Sequence, residues 1–302
     1  MLSLYGNNVT VLLFNPKLWG EVERFMVFHQ TTHKFGGRAR SALHGVAGHF
    51  ERASQLCRLA KGMTAALQGD RHDLLRNGVS VNPHAASLTA ILEAAIIELY
   101  SAVDCTRQVV YAVYRGTRGT PDSTTKFFSR AREGKLETCI PELIRNAFAC
   151  AGWFPGLRRL RDAVVHSNVG FCTLNGDTGH VVYSPRGVAD EGRPEELSDA
   201  FATFDEWNNA VNAFIGSVFR ALNQNLNDTP ITVLCGWFNG RAYQRQIRNS
   251  EAVDAHSGRC ASHSWFESDD NPACPYTDSC GAFRRAKLEI TNLGVSPAMP
   301  DS

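Results

Sequence analysis

The sequence predicts a mainly α-helical protein that carries one small β-hairpin. Two long stretches, 88–103 and 205–222, place apolar side chains three and four positions apart, which is the spacing of a buried helix face. Between them, two β-prone runs flank Asn175-Gly176-Asp177, where Asn-Gly supplies the positive φ angles of a tight hairpin turn. The 302 residues are 43% apolar and 20% charged, which is the composition of a globular protein with a substantial core.

The first 85 residues predict a mostly helical N-terminal region. A short apolar run at 9–14 resembles a strand, and helical sequence follows from 18 to 67. The stretch 68–83 contains polar and turn-forming residues, so it is expected to be a linker or a loose connection. We therefore place a domain boundary between 1–85 and the rest of the chain.

Residues 86–228 predict a compact helical unit, and residues 229–302 predict an appendage. Ser87 is expected to cap the first long helix, and Asp205 the second, because both side chains can accept hydrogen bonds from backbone amides. The appendage begins with a strand-like run and continues with polar, Gly- and Cys-containing sequence. Shorter helices are expected within the unit at 124–133, at 140–151 and from Gly156 onward.

Charge and composition exclude several classes of function. A formal net charge of +1 gives no overall attraction for nucleic acid or anionic membranes, so a polyanion must be held by a local patch. The amino terminus has no basic leader or cleavage site, and the stretch 88–103 is shorter than the roughly 20 residues that span a bilayer. Nine scattered cysteines fit a reducing compartment. We expect a cytoplasmic protein with no membrane partner.

Motifs for the commonest nucleotide-binding, zinc-protease and serine-hydrolase sites are missing from the sequence, but one polar segment remains at 161–167. In this segment, RDAVVHS, four residues separate Arg161 from His166. At about 100° per residue, its polar side chains occupy a sector beside the apolar face that begins with Leu157 and Leu160. One face of this helix is therefore expected to pack, and the next is available for binding.

The segment resembles the Arg-x4–6-His signature of the HEPN superfamily, helical-bundle ribonucleases of toxin and phage-defence systems, and 86–228 as a whole resembles a HEPN bundle. Two other pairs have a similar spacing, namely Arg24 with His29 and Arg38 with His44. A phenylalanine or an alanine follows the arginine in those pairs, where Asp162 follows Arg161. We therefore interpret them as ordinary core or surface positions.

The resemblance implies metal-independent cleavage of RNA, with no cofactor for catalysis, in a cleft shared by two copies of the chain. His166 would exchange protons with the 2′-hydroxyl or the leaving 5′-oxygen, and Arg161 would hold the scissile phosphate. These two residues lie about 140° apart around the helix axis, too far for one copy to bring both to one phosphate. Asp162 is expected to orient the imidazole of His166, while Arg158 and Arg159 extend the phosphate contacts.

The partners that follow are RNA, a second copy of the chain and an antitoxin or another defence-system protein. Two alternatives stay open. A HEPN-type module could bind RNA, a nucleotide or a protein without cleaving it, and Arg161, Asp162 and His166 could form routine ion pairs on a surface helix. An RNA-binding dimer that leaves RNA intact, with Arg161 and His166 in the core, would favour the binding module.

A second candidate site consists of four thiol or imidazole side chains in the appendage: Cys260, His263, Cys274 and Cys280. Large apolar side chains are few in this segment, so zinc ligation rather than burial would order it. Five residues separate the last two cysteines, where two to four are usual, and Cys235 or His256 could replace a ligand. We expect one structural zinc ion, and the alternative is free thiols in a flexible tail.

Overall fold

The computed structural model of the chain describes residues 20–78, 83–115, 120–166, 168–186, 196–238, 241–251, 257–271, 273–274 and 276–293. Within these ranges helices predominate and the strands form only two small sheets, so the predicted mainly α fold with a β-hairpin insertion is confirmed. The strand expected at 9–14 lies outside the described residues.

The helices are α1 (Glu21–Phe28), α2 (Gly37–Gly62), α3 (Thr64–Asn77), α4 (Pro83–Tyr114), α5 (Thr124–Arg132), α6 (Glu142–Ala149), α7 (Phe154–His166), α8 (Ala200–Asn223), α9 (His263–Phe266) and α10 (Gly281–Leu293). The strands are β1 (Asn168–Leu174), β2 (Val181–Arg186), β3 (Ile231–Phe238), β4 (Arg241–Ile247) and β5 (Arg259–Cys260). β1 pairs antiparallel with β2, and β4 lies between β3 and β5 in a second antiparallel sheet.

The chain forms two compact units. Among the described residues, the larger unit contains 20–22 and 35–221, and the smaller unit contains 23–34 together with 222–293. The contacts therefore group residues 35–85 with the helices that follow them, whereas the sequence suggested a boundary after residue 85. The physical reason is that α2 and α3 both pack on α4.

The central helix of the larger unit is α4, and its predicted apolar stripe is buried at Leu88, Leu92, Ile96, Leu99 and Val103. The helix is 32 residues long, about twice the length of the apolar stretch that predicted it. By length and composition, the described residues include one helix that could cross a membrane, His84–Tyr114, and half of its most apolar window is buried. Length therefore does not exclude a bilayer span, contrary to the expectation from the sequence.

The described part of 68–83 is not a linker, because α3 occupies it as far as Asn77. Asp70 of α3 accepts hydrogen bonds from Nδ1 of His84 at 2.7 Å and from the backbone amide of Ala85 at 3.2 Å. The bond from Ala85 satisfies one of the backbone amides that the first turn of a helix leaves unpaired. The N-terminus of α4 is thus capped by a neighbouring helix, and the helix begins before the expected cap at Ser87.

The second long helix, α8, begins before Asp205, the residue expected to cap it. Asp199 is the cap, since its Oδ1 accepts hydrogen bonds from two backbone amides of the first turn, at 3.0 and 3.2 Å. Asp205 lies inside the helix and forms an ion pair with Lys61 of α2, at 2.7 Å. The apolar stripe is buried as predicted at Val211, Phe214, Val218 and Leu222.

The predicted hairpin is present, with Leu174 of β1 opposite Val181 of β2. Its turn differs from the expected Asn-Gly turn. The Oδ1 atom of Asn175 accepts hydrogen bonds from two backbone amides of the loop, at 2.9 and 3.1 Å, and the positive φ angle, 71°, is at Gly179 rather than Gly176. The loop therefore begins with an Asx turn at Asn175, and the residues that follow reverse the direction of the chain.

Buried hydrogen bonds fix the hairpin to α4. The carboxylate of Glu93 accepts bonds from the Tyr183 hydroxyl at 2.8 Å and from the backbone amide of Gly170 at 2.7 Å. One turn earlier in α4, the hydroxyl of Thr89 accepts a bond from the backbone amide of Cys172 at 2.9 Å. Both strands of the hairpin are thereby attached to one helix face.

The smaller unit contains the sheet of β3, β4 and β5, with α10 packed against β5. Its core is a cluster of three buried aromatic side chains, Tyr243, Phe266 and Phe283, which we call the aromatic cluster. The C-terminal appendage, which has few large apolar side chains, therefore has a small core of its own.

Candidate functional site

The candidate site lies on α7, which packs through one face as the sequence predicted. Phe154, Leu157 and Leu160 are buried. The aromatic ring of Phe154 lies parallel to that of Phe128 of α5, with 3.6 Å between the ring centroids. The polar residues Arg158, Arg159, Arg161, Asp162 and His166 all retain solvent exposure, so none of them lies in the core.

Arg161 is held in place by two neighbours. Its Nη1 atom lies 2.8 Å from Oδ1 of Asp162, and its guanidinium group lies over the ring of Tyr100 of α4, 4.7 Å from the ring centroid. A cation above an aromatic face is attracted by the ring quadrupole. The side chain is 29% exposed, so these contacts restrain it while leaving part of the guanidinium accessible to solvent.

Tyr100 is a part of the site that sequence reasoning missed. Burial raises the pKa of its hydroxyl, and the nearby Arg161 acts in the opposite direction. The only sequence signal was an aromatic residue next to the buried stripe of α4, and such residues are common in cores. Recognising its role required knowing that α4 and α7 pack together.

Asp162 contacts two arginines rather than His166. Its Oδ2 atom accepts a hydrogen bond from Nε of Arg158 at 3.2 Å, and its Oδ1 accepts one from Arg161 at 2.8 Å. Within the part of the chain that the structure describes, Asp162 makes no contact with the imidazole, so the expected orienting contact is not formed. The arginine side chains are long enough for each guanidinium group to bond one oxygen of Asp162, so both carboxylate oxygens are occupied.

His166 is the last residue of α7 and is exposed. β1 begins at Asn168, and Ser167, the last residue of the motif, lies outside the described residues. Arg159 is also exposed, one residue after Arg158. A long polyanion at this end of the helix could therefore contact the histidine and the arginines without entering the core.

A charged group on α4 extends the site beyond Tyr100. One turn further on, Asp104 accepts hydrogen bonds from Nη2 of Arg107 at 3.1 Å, from Nε2 of Gln108 at 2.8 Å and from the hydroxyl of Thr124. Burial would raise the pKa of this carboxyl group, but these hydrogen bonds outweigh it and lower the pKa. Asp104 is therefore a fixed negative charge close to Tyr100.

The two other Arg–His pairs occupy different environments. Arg24 donates a hydrogen bond to the backbone oxygen of Asn249, and His29 is buried with Nδ1 3.0 Å from the backbone oxygen of Met26. Arg38 and His44 are exposed on α2. These placements agree with the interpretation of both pairs as ordinary core and surface residues.

The candidate zinc ligands lie in the smaller unit. Cys260, Cys274 and Cys280 are half-buried and pack against the aromatic cluster. The ring of His263 is buried against Phe283, with 4.5 Å between centroids, and its Nε2 atom lies 3.7 Å from a carboxylate oxygen of Glu267. Across the described residues, no three donor side chains are already arranged to hold one ion. The structure thus gathers all four expected ligands around one core, because the His263 ring packs on Phe283, a member of the cluster that the three cysteines contact.

Comparison of the chain with models of known protein families, with curated proteins and with solved structures gives no match. The resemblance of 161–167 to the HEPN signature therefore stays a prediction from the motif.

Proposed function

We propose that this protein is a cytoplasmic, metal-independent endoribonuclease whose site is formed by Arg161 and His166 of α7, with RNA as its substrate. The observation that carries the proposal is that α7 presents both side chains outside the core, while Leu157 and Leu160 anchor its apolar face. An accessible imidazole and a restrained guanidinium are the two groups that cleavage by a 2′-hydroxyl requires.

The chemistry needs only proton transfer and charge stabilisation. His166 accepts the proton of the ribose 2′-hydroxyl, whose oxygen attacks the adjacent phosphorus while the bond to the 5′-oxygen breaks. The protonated His166, or a water molecule, then gives a proton to the 5′-oxygen, which releases the 5′-hydroxyl product and leaves a 2′,3′-cyclic phosphate. Arg161 offsets the negative charge that develops on the phosphate oxygens.

The ion pair with Asp162 and the face of Tyr100 support this role for Arg161. A guanidinium has five N–H donors, so one bond to a carboxylate leaves others for a phosphate. Because the group is already restrained, less conformational entropy is lost when the phosphate binds. Arg158 and Arg159, on the same helix, would hold neighbouring phosphates.

We propose a homodimer because of the angle between the two principal side chains. Arg161 and His166 are separated by five positions, which is about 140° around a straight helix. A second copy related by a two-fold axis would place the arginine of one chain beside the histidine of the other. The partner of this homodimer in the cell would be a protein, such as an antitoxin, that blocks the cleft between the two copies.

One observation favours the second candidate function, a HEPN-type module that binds RNA without cleaving it. Asp162 neutralises part of the charge of Arg158 and Arg161, which is the arrangement of a surface ion-pair network. In that function the same helix binds phosphates, and the exposed His166 has no chemical role.

Incubating the purified full chain with mixed RNA in EDTA tests the proposal. We expect cleavage products that end in a 2′,3′-cyclic phosphate, and no cleavage of DNA, because DNA lacks the attacking hydroxyl. Arg161→Ala and His166→Ala should each abolish cleavage, whereas His44→Ala, which removes another exposed histidine that follows an arginine, should not. RNA that is bound but left intact would favour the binding module, and equal cleavage by all three variants would exclude the α7 site.

A further inference from the structure

The side chain of His263 is buried but forms no hydrogen bond among the described residues. It is 5% exposed, and neither Nδ1 nor Nε2 has a partner in that part of the chain. A carboxylate oxygen of Glu267 lies 3.7 Å from Nε2, which is too far for a hydrogen bond. Burying polar nitrogen atoms without partners costs free energy, so a group that binds this imidazole would stabilise the fold.

A cleft of about 250 Å³ lies beside this imidazole. His263 and Cys260 both line the cleft, so a thiol and a buried imidazole border the same space. Ala286 lines it from α10. Thiolate and imidazole are the groups that bind zinc in its structural sites, so the two donors are of the type that this ion takes.

Cys260 reaches the aromatic cluster from the short strand β5. It pairs with Arg245 of β4, which comes two residues after Tyr243 of the cluster. Residues paired across two strands share a face of the sheet, and residues two apart in one strand do so as well. Cys260 therefore lies on the face that carries Tyr243, and α9 begins three residues later with His263.

Cys274 and Cys280 come to the same cluster from the loop before α10, and both pack against it. The loop is compact. The backbone amide of Thr277 donates to the carbonyl oxygen of Cys274 at 3.1 Å, and the amide of Cys280 donates to that of Tyr276 at 2.8 Å. Backbone hydrogen bonds therefore hold the two cysteines in one short turn.

The start of α10 places Cys280 on the side of that helix where His263 packs. The carbonyl oxygen of Cys280 accepts the backbone amide of Arg284 at 3.2 Å, so Cys280 belongs to the first turn. Phe283 comes three residues after Cys280, and its ring centroid lies 4.5 Å from that of His263. Positions three apart along a helix lie on one face, so Cys280 and the residue that contacts His263 are neighbours.

Cys235, which the sequence suggested as an alternative ligand, is placed differently. It lies in β3 and is exposed. Because β4 lies between β3 and β5, two strand spacings, about 10 Å, separate the backbone of Cys235 from that of Cys260. Two sulfurs on one zinc ion are at most about 4.6 Å apart, since each bond is about 2.3 Å long. The other alternative, His256, lies outside the described residues.

We propose that Cys260, His263, Cys274 and Cys280 bind one structural zinc ion through three thiolates and one imidazole nitrogen. Three cysteines and one histidine in a tetrahedron are a standard zinc environment, and such a closed site leaves no position for a substrate. Each thiol releases its proton to solvent on binding. The thiols must still turn about their Cα–Cβ bonds to surround the ion, since no three donors of the described residues do so already.

Two charged neighbours suit an ion at this position. Three thiolates, a neutral imidazole and Zn²⁺ together carry one net negative charge, which is offset by Arg259, a further residue that lines the cleft. A histidine that binds zinc through one nitrogen commonly donates the N–H of the other to a carboxylate. Glu267 is close enough to Nε2 to accept that bond after a small shift, which leaves Nδ1 for the ion.

The ion would join parts of the smaller unit that are separate in sequence: the short strand β5, the helix α9 and the loop before α10. β5 has only two residues, and the aromatic cluster has three members, so apolar burial alone gives this unit a small core. Zinc binding to thiolates contributes folding free energy directly. The site is independent of α7, so its failure would leave the proposed ribonuclease function untouched.

Metal analysis of the full chain, purified without added metal and passed over a chelating resin, tests the ligand set. We expect about one equivalent of zinc in the wild type, in Cys139→Ser and in Cys235→Ser. Cys139 and Cys235 are exposed cysteines, one in each unit, so these variants control for the loss of a thiol. His263→Asn and Cys274→Ser should each retain less than about a tenth of an equivalent.

Three results of the metal analysis would each overturn the proposal. They are no zinc in the wild type, zinc retained in His263→Asn or Cys274→Ser, and zinc lost from either control variant. Loss from Cys235→Ser in particular would assign the exposed thiol of β3 to the ion in place of one of the four proposed ligands.

A second measurement uses only the wild-type chain, so it does not depend on whether the variants fold. The chain is stripped with a chelator and a reductant and is then titrated with Co²⁺, whose charge-transfer absorption grows with the number of thiolate ligands. An intensity equal to that of a reference peptide with three cysteines and one histidine supports the assignment. The intensity of a four-cysteine reference, any other intensity, or no absorption at all overturns it.

Discussion

The hydroxyl of Tyr183 donates a hydrogen bond of 2.8 Å to the carboxylate of Glu93, and both side chains are buried. Tyr183 belongs to β2, and Glu93 belongs to the middle of α4. The same carboxylate oxygen accepts the backbone amide of Gly170 in β1. One buried carboxylate thus joins both strands of the hairpin to the central helix, and burying such a charge is tolerated because hydrogen bonds satisfy it.

Tyr183→Phe should destabilise the protein, because the carboxylate of Glu93 would lose one of its two buried donors. We expect a loss of about 1–3 kcal/mol in the free energy of unfolding, measured by urea denaturation. Tyr276→Phe is the matched control, since that side chain is 50% exposed. If both variants unfold at the same urea concentration, the buried hydrogen bond contributes no stability.

Gly170→Ala should also destabilise the protein, for a steric reason. A methyl group at this position would overlap the hydroxyl and the ring of Tyr183, and the ring is too tightly packed to move away. We expect a loss of about 1–3 kcal/mol. Gly48→Ala on α2, where a methyl group would meet open space, should instead gain about 0.5–1 kcal/mol. A neutral effect of Gly170→Ala would contradict the docking of the hairpin.

Asp104→Asn should reduce stability at neutral pH and should make the acid side of the stability curve shallower. The folded-state pKa of Asp104 is lowered, so its ionised form stabilises the fold above the unfolded pKa of about 3.9. That contribution is lost as the pH falls through the folded pKa. Urea midpoints of wild type and variant should therefore differ at pH 7 and converge below about pH 4. A difference that stays constant over this range would show that the carboxylate charge has no such role.

A composite site predicts that two inactive variants restore activity when they are mixed. Arg161→Ala and His166→Ala, refolded together, should form heterodimers with one intact site and recover about a quarter of wild-type cleavage. Heterodimer formation is verified by mass, with a tag on one variant. Heterodimers without cleavage would mean that each site is built within one chain, and a monomer in light scattering would exclude the composite site.

Tyr100→Leu should weaken RNA cleavage, and Tyr100→Phe should preserve it. Leucine keeps the apolar bulk but removes the aromatic face beneath Arg161, whereas phenylalanine keeps that face. We expect a loss of about two- to fivefold in kcat for leucine, in line with an exposed cation–π contact. An equal loss in both variants would assign the effect to the hydroxyl group instead of the ring.

The periodicity of apolar residues correctly predicted which faces of the two long helices are buried. The stripes of α4 and α8 are buried because a helix places every third or fourth residue on one face, whatever lies opposite. The ends of the same helices were predicted wrongly. Asp70 caps α4 from another helix, and Asp205 pairs with Lys61 across a helix interface, so both outcomes depend on tertiary contacts.

In the candidate site, too, the sequence predicted local features and missed the contacts between distant elements. The helical wheel placed Arg161, Asp162 and His166 outside the apolar face, and the structure agrees. A helical wheel gives the angle of each side chain around the axis but not its length or conformation. It therefore suggested a contact of Asp162 with His166, whereas Asp162 bonds two arginines in the structure. The contact of Tyr100 with Arg161 joins residues far apart in sequence, and no local pattern contains that information.

The hairpin acts as a mechanical link between the interior of the larger unit and the end of α7. Only residue 167 separates α7 from β1, and β1 is bonded to Glu93 and Thr89 of α4. The end of α7, where His166 lies, is therefore connected through β1 to a helix that contains no residue of the Arg–His motif. Substitutions at Glu93 are therefore expected to shift His166 without altering the surface that we propose binds RNA, so screens confined to surface residues would overlook them.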